Sequence, residues 1–173
     1  MEILRQFLIQ TPFWVWFILV WLVMRGVAAR KPGETTLTKM AIIPLIFTAW
    51  GLYDLVTLYG ATAESAALWL TGIVLGSGSG WLIVGRFAIT VDRTTGVFQR
   101  PADMSLLPLL LATFAVKYGF GVVAAIAPQL MAETLFRVSD LMLSGAFTGI
   151  FVGKFLHYAQ IWHSSRQQPA HLG

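Results

Sequence analysis

The chain has no cysteine in its 173 residues, so disulfides, thiolate metal sites and cysteine nucleophiles are excluded and the redox compartment is left unmarked. Charge is scarce as well. Charged residues make up 12% of the chain, against about 25% in soluble domains, which is too few to solvate an ordinary globular surface. Apolar residues fill the difference at 57%, against an average of about 45–50%. A helix that crosses a bilayer uses about 20 apolar residues. This length therefore holds about five or six crossings with short connections, and implies one membrane-embedded domain. The formal net charge of +4 is read as a topology signal rather than a nucleic-acid footprint, because few charges lie outside the apolar runs.

The sequence predicts an all-α polytopic fold with five spans, at about 8–29, 40–59, 65–85, 105–127 and 138–158. The fifth helix is expected to begin earlier than the membrane needs, near Ala132, and so to tilt or project beyond the outer surface. A signal peptide ending near Val27-Ala28-Ala29 is the rival for the first span; Glu2 in the leading segment and the basic patch that follows argue against it. Lysine and arginine in short loops set orientation. One side carries Arg25, Arg30, Lys31, Lys39, Arg86, Arg93, Arg100, Lys154 and Arg166, and the other only Arg5 and Arg137. That bias puts the amino terminus outside and the carboxyl terminus in the cytoplasm. Residues 164–173, polar and low in aromatics, read as a flexible tail.

The loop Arg86–Met104 reads as a short cytoplasmic β-hairpin. Ala88-Ile89-Thr90-Val91 and Val97-Phe98-Gln99-Arg100 are β-branched or aromatic runs, Gly96 can take a positive φ, and Pro101 ends the second strand. Arg86, Arg93 and Arg100 would then lie near the anionic inner leaflet as candidate lipid head-group contacts; a solvated loop that only sets topology is the plainer reading.

Met40-Ala41-Ile42-Ile43-Pro44-Leu45-Ile46 aligns with Met104-Ser105-Leu106-Leu107-Pro108-Leu109-Leu110, and Ile83-Val84-Gly85-Arg86-Phe87 with Phe151-Val152-Gly153-Lys154-Phe155. Spans 2–3 and 4–5 are thus expected to be a duplicated helical hairpin with a pseudo-two-fold axis along the membrane normal. Spans 3 and 5 share a further pattern, Gly72, Gly76 and Gly80 in one and Gly145, Gly149 and Gly153 in the other. In lipid, small residues every fourth position let backbones approach. These helices are expected to pack on each other, and a homodimer through one of the two faces is the other arrangement open to them. Gly76-Ser77-Gly78-Ser79-Gly80 is not a phosphate loop, since no Lys-Ser/Thr follows, and Trp81 occupies the third glycine of a dinucleotide fingerprint.

Two charges fall deep inside apolar spans. Asp54 lies about 21 Å and Lys117 about 18 Å from the cytoplasmic starts of their helices, at 1.5 Å per residue. Each costs roughly 2.5–3.5 kcal/mol near a helix centre, so a buried Asp54–Lys117 ion pair is the expected solution, either a static register pin or a coupling site. Glu133 and Asp140, with Arg137 between them, read as a solvated or interfacial face. His157 is without a second membrane histidine for a haem site, His163 and His171 sit in the polar tail, and no catalytic triad, metal site or cofactor is expected. The seven tryptophans read mostly as lipid or interface anchors.

At Val91-Asp92, Gly96, Arg100-Pro101, Pro108-Leu109 and Phe114-Ala115-Val116-Lys117-Tyr118-Gly119 the chain resembles a family of small uncharacterised bacterial inner-membrane proteins, a domain of unknown function. The resemblance covers most of the last hundred residues and the first seventy more loosely. It implies a bacterial inner membrane and carries over no functional residue. A non-enzymatic packing or accessory subunit is the function expected, with the bilayer and a homodimer or membrane partner as its contacts; a small proton- or ion-coupled transporter using Asp54 and Lys117 is the alternative.

Overall fold

The computed structural model describes residues 13–87, 89–92 and 95–167. Among them are five helices, α1 (Phe13–Ala29), α2 (Leu37–Tyr59), α3 (Ala63–Val84), α4 (Leu106–Ile126) and α5 (Thr134–Gln167), with a 3-10 turn at Pro128–Ala132 before α5. Three short strands, β1 (Gly33–Thr36), β2 (Thr90–Val91) and β3 (Val97–Arg100), complete the described fold. Four helices, α2 to α5, are long and apolar enough to cross a membrane by length and composition. The described part of α1 has 17 residues, and the leading residues of the expected first span, 8–12, lie outside the described residues. So do Arg5, Ala88, Arg93 and His171.

The chain divides into two compact units. One joins the described residues up to Lys31 with Ala102–Arg137; the other joins Pro32–Pro101 with the chain from Val138 onward. This division runs across the expected pair of hairpins, since α4 belongs with α1, and α5 with α2 and α3.

In the first unit α1 and α4 run antiparallel. Gly26, near the end of α1, faces Leu107 at the start of α4, where a Cβ would lie 2.7 Å from Leu107 Cδ1. Nearby, the Asp103 N–H donates to the Ala29 carbonyl at 2.8 Å. Leu22 of α1 and Leu110 and Thr113 of α4 are buried. Asp103 Oδ1 accepts from the Ser105 N–H at 3.0 Å and its hydroxyl at 2.6 Å, which satisfies a donor at the start of α4.

The second unit holds α2, α3, most of α5 and the sheet. Local chemistry explains the α2–α3 hairpin: α2 ends on Gly60 in the left-handed region (φ 69°), and Thr62 caps α3 by accepting from the Ser65 N–H at 3.2 Å. Leu55 of α2, Trp69 of α3 and Leu141 of α5 form one core cluster. Phe47 of α2 stacks on Phe151 of α5, ring centroids 5.0 Å apart.

The sheet has the order β1-β3-β2. β2 and β3 form the antiparallel hairpin expected from the sequence, with Gly96 at φ 70° in its turn. β1 was not expected. It pairs antiparallel with β3 from Gly33↔Arg100 to Thr36↔Val97. The fully buried Phe98 joins the sheet to the helices by packing with Val84 and Tyr158.

The last helix corrects the expected tail. α5 runs 34 residues to Gln167, so residues 164–167 are helical where a flexible segment from 164 was expected, and 168–173 lie outside the described residues. Tyr158, Ile161 and Trp162 explain the continuation, because they form the wall on which Phe98 packs.

Candidate functional site

The polar side chains that this fold buries are concentrated on α5. Asp140, Ser144, Thr148 and Lys154 are each at most 7% exposed. At 3.6 residues per turn they fall on one broad side of the helix, roughly opposite Gly145, Gly149 and Gly153. α2 meets this polar side. The Tyr59 hydroxyl donates to Asp140 Oδ2 at 2.6 Å, and the Thr148 hydroxyl reaches the Phe47 carbonyl at 3.5 Å. A hydrogen bond to a carboxylate is stronger than a neutral one, and it offsets part of the cost of burying Asp140.

Asp140 therefore departs from the solvated face expected of it. Glu133 is exposed and Arg137 half-buried, so the three residues do not share one environment. The reason lies in the long-range partner: Tyr59 is 81 residues away in the chain, beyond any local pattern.

The glycines occupy the other side of α5. A Cβ on Gly76 or Gly80 would fall on the carbonyl oxygen of Ala146 or Ile150, and one on Gly145, Gly149 or Gly153 on that of Trp69, Ile73 or Ser77. At Gly72 the Met142 carbonyl oxygen would be 2.5 Å away. Residue numbers rise together on both helices, so α3 and α5 are parallel. All of Gly76–Gly80 is helical, and Gly78, between the contacting glycines, has nothing within 4 Å of its Cβ position.

Asp54 is half-buried on α2 of the second unit, beside Gly51, which lies under the Trp69 indole: a Cβ there would be 2.8 Å from Trp69 Cζ2. Trp69 is thus a core residue rather than an interface anchor, and its Nε1 is buried without a hydrogen-bond partner among the described residues. Lys117 is on α4 of the first unit, 5% exposed, on the stripe of Leu110 and Thr113. On the same helix Thr113 shares that buried stripe, whereas Gly121 is exposed with nothing within 4 Å of its Cβ position.

Arg86 is exposed just past α3, and Arg100 is partly buried at the end of β3, its Nη2 3.8 Å from a Cβ built on Gly33. His157 packs edge-on against Trp81, ring centroids 4.8 Å apart. Among the described residues no group of three His, Cys, Asp or Glu side chains could hold a metal ion. Sequence reasoning missed Tyr59 and Thr148 as polar partners; the signal available was the four-residue spacing of Asp140, Ser144 and Thr148 in an apolar helix.

The chain belongs to a family of unknown function, DUF6622, whose profile matches residues 2–165. No curated protein and no solved structure matches it.

Proposed function

We propose that this member of DUF6622 is a multi-pass protein of the bacterial inner membrane, amino terminus outside and carboxyl terminus cytoplasmic, acting as a non-enzymatic packing or accessory subunit. The observation that supports this is the outward surface of the long apolar helices. Leu45, Leu52 and Val56 on α2, and Leu70, Val74 and Leu82 on α3, stand exposed, while the polar side of α5 is turned inward. A surface of that kind suits lipid or another membrane helix and would be costly in water. The test is retention in membranes through an alkaline carbonate wash, followed by purification in mild detergent. A retained protein that elutes with a stoichiometric partner or as a homodimer supports the reading. Release by carbonate removes the membrane assignment, and a lone monomer removes the accessory role.

A second reading, a small proton- or ion-coupled transporter using an Asp54–Lys117 pair, draws support from the burial of Lys117 in an apolar helix. An intramembrane ionisable group is costly enough to need a reason. Proton or solute flux in liposomes, abolished by Asp54→Asn, would favour it. Pairing itself is measured by a double-mutant cycle: a fully buried pair would lose about 3–5 kcal/mol on removal of either charge, and with Asp54 half-buried Asp54→Asn and Lys117→Met should each cost less than that, with much of the loss recovered in the double variant. Losses that simply add would remove the pair.

A further inference from the structure

The sheet and the extended end of α5 lie together at one end of the second unit. α5 continues about two and a half turns past Tyr158, and the sheet leans on that extension through Phe98, whose ring centroid is 5.5 Å from that of Tyr158 and 6.1 Å from that of Trp162. Gly96 closes on the same tryptophan: a Cβ there would be 3.3 Å from Trp162 Cη2. This is also the end where α2 begins, at Leu37, and α3 finishes, at Val84, since both pack in the same cluster.

Two exposed cations stand beside those helix ends, Lys39 in the first turn of α2 and Arg86 two residues past α3. The opposite end of the same hairpin, Gly60–Ser65, carries Glu64 and no lysine or arginine. Two exposed carboxylates share the sheet's end, and both are engaged within it: Glu34 accepts from Gln99 Nε2 at 3.2 Å, and Asp92 accepts from the Thr95 hydroxyl at 2.7 Å in the hairpin turn. Arg100 at the end of β3 adds a third, partly buried cation to this end. Trp81 in the last turn of α3 and Trp162 on α5 add the amphipathic rings that favour a head-group zone.

We propose that this end of the second unit is an anionic-phospholipid docking surface on which Lys39 and Arg86, at the rim of the apolar helices, hold lipid phosphates. The inference rests on the membrane reading above and adds its lipid partner. An ammonium and a guanidinium at the rim of apolar helices meet a phosphate without leaving the head-group layer, and each cation near an anionic leaflet strengthens attraction about five-fold.

The experiment measures lipid binding to the full chain in mild detergent, titrated with phosphatidylglycerol or with phosphatidylcholine. Wild-type protein should prefer phosphatidylglycerol, and the Lys39→Gln/Arg86→Gln double variant should bind it about 25-fold more weakly, with phosphatidylcholine binding unchanged. The preference should also collapse in about 1 M salt, where the Debye length is about 3 Å. Equal binding of the two lipids, a double variant that keeps the preference, or a preference that survives high salt overturns the proposal. Its failure is separable from that of the membrane reading: a chain that resists carbonate but shows no lipid preference refutes only the docking surface, and a chain washed off the membrane refutes both.

Discussion

The helix pairs α3–α5 and α1–α4 use different means to bring apolar helices together. α3 and α5 are parallel and meet backbone to backbone, each carrying three glycines whose missing Cβ positions are taken by the other helix's carbonyls. α1 and α4 are antiparallel, and their one glycine contact, Gly26 with Leu107, meets a side chain as well as backbone. In the membrane setting proposed above the difference matters, because burial of apolar surface gives little drive between helices in lipid. A glycine seam replaces it with dispersion over a close interface and with Cα–H···O contacts, each worth ~0.5–1 kcal/mol. A leucine-rich contact can shift to absorb change; a carbonyl on a helix backbone cannot.

That contrast can be broken in order of effect. Gly149→Ala places a methyl on the Ile73 carbonyl and should cost about 3 kcal/mol, at the upper end of ordinary overpacking, seen as a fall in thermal stability in detergent. A loss under 1 kcal/mol would mean that the helices separate without penalty. Tyr59→Phe removes the hydrogen bond to the buried Asp140 carboxyl and should cost about 1.5–3 kcal/mol; Tyr59→Phe in an Asp140→Asn background should cost less, which distinguishes the polar contact from general packing. Gly26→Ala should cost about 1–2 kcal/mol, less than Gly149→Ala, because Leu107 Cδ1 at 2.7 Å can rotate away while its Cα and Cβ, each 2.9 Å off, must shift slightly, and alanine favours the helix. A loss equal to that of Gly149→Ala would erase the distinction between the two pairs. The smallest effect has the opposite sign: Gly78→Ala, in open space between the seam glycines, should stabilise by about 0.5–1 kcal/mol.

Local patterns carried much of this fold and the long-range contacts carried the rest. The apolar runs of α2 to α5 are visible in composition alone, and Gly96 marks its turn through the one backbone conformation that glycine adopts freely. β1 was hidden because Gly33-Glu34-Thr35-Thr36 has no alternation of its own; it becomes a strand only because β3 offers an edge 65 residues later, as in the Glu34–Gln99 contact. The helical end of α5 was hidden likewise. Its polar residues Ser164 to Gln167 show no apolar periodicity of their own, and it is the packing of Phe98 on Tyr158 and Trp162 that holds the preceding turns. The spacing of the six glycines can be read from the chain, but which carbonyl each one meets cannot. Asp140 shows the limit most clearly, since its charge and its place near a span end suit water, and the Tyr59 hydroxyl that helps make its burial tolerable lies 81 residues away in the chain.

The parallel run of α3 and α5 within a membrane is the claim on which the rest stands, and the absence of native cysteine allows it to be measured directly. Single cysteines at Ala61, before α3, and at Glu133, before α5, are compared with ones at Thr95, past the other end of α3, and at His163, exposed near the other end of α5, using a membrane-impermeant maleimide on intact spheroplasts. Ala61→Cys and Glu133→Cys should both react from outside, while Thr95→Cys and His163→Cys react only after permeabilisation. Labelling of Ala61→Cys and Glu133→Cys from opposite sides would contradict the parallel seam, and equal labelling of all four in intact spheroplasts would contradict the crossing itself.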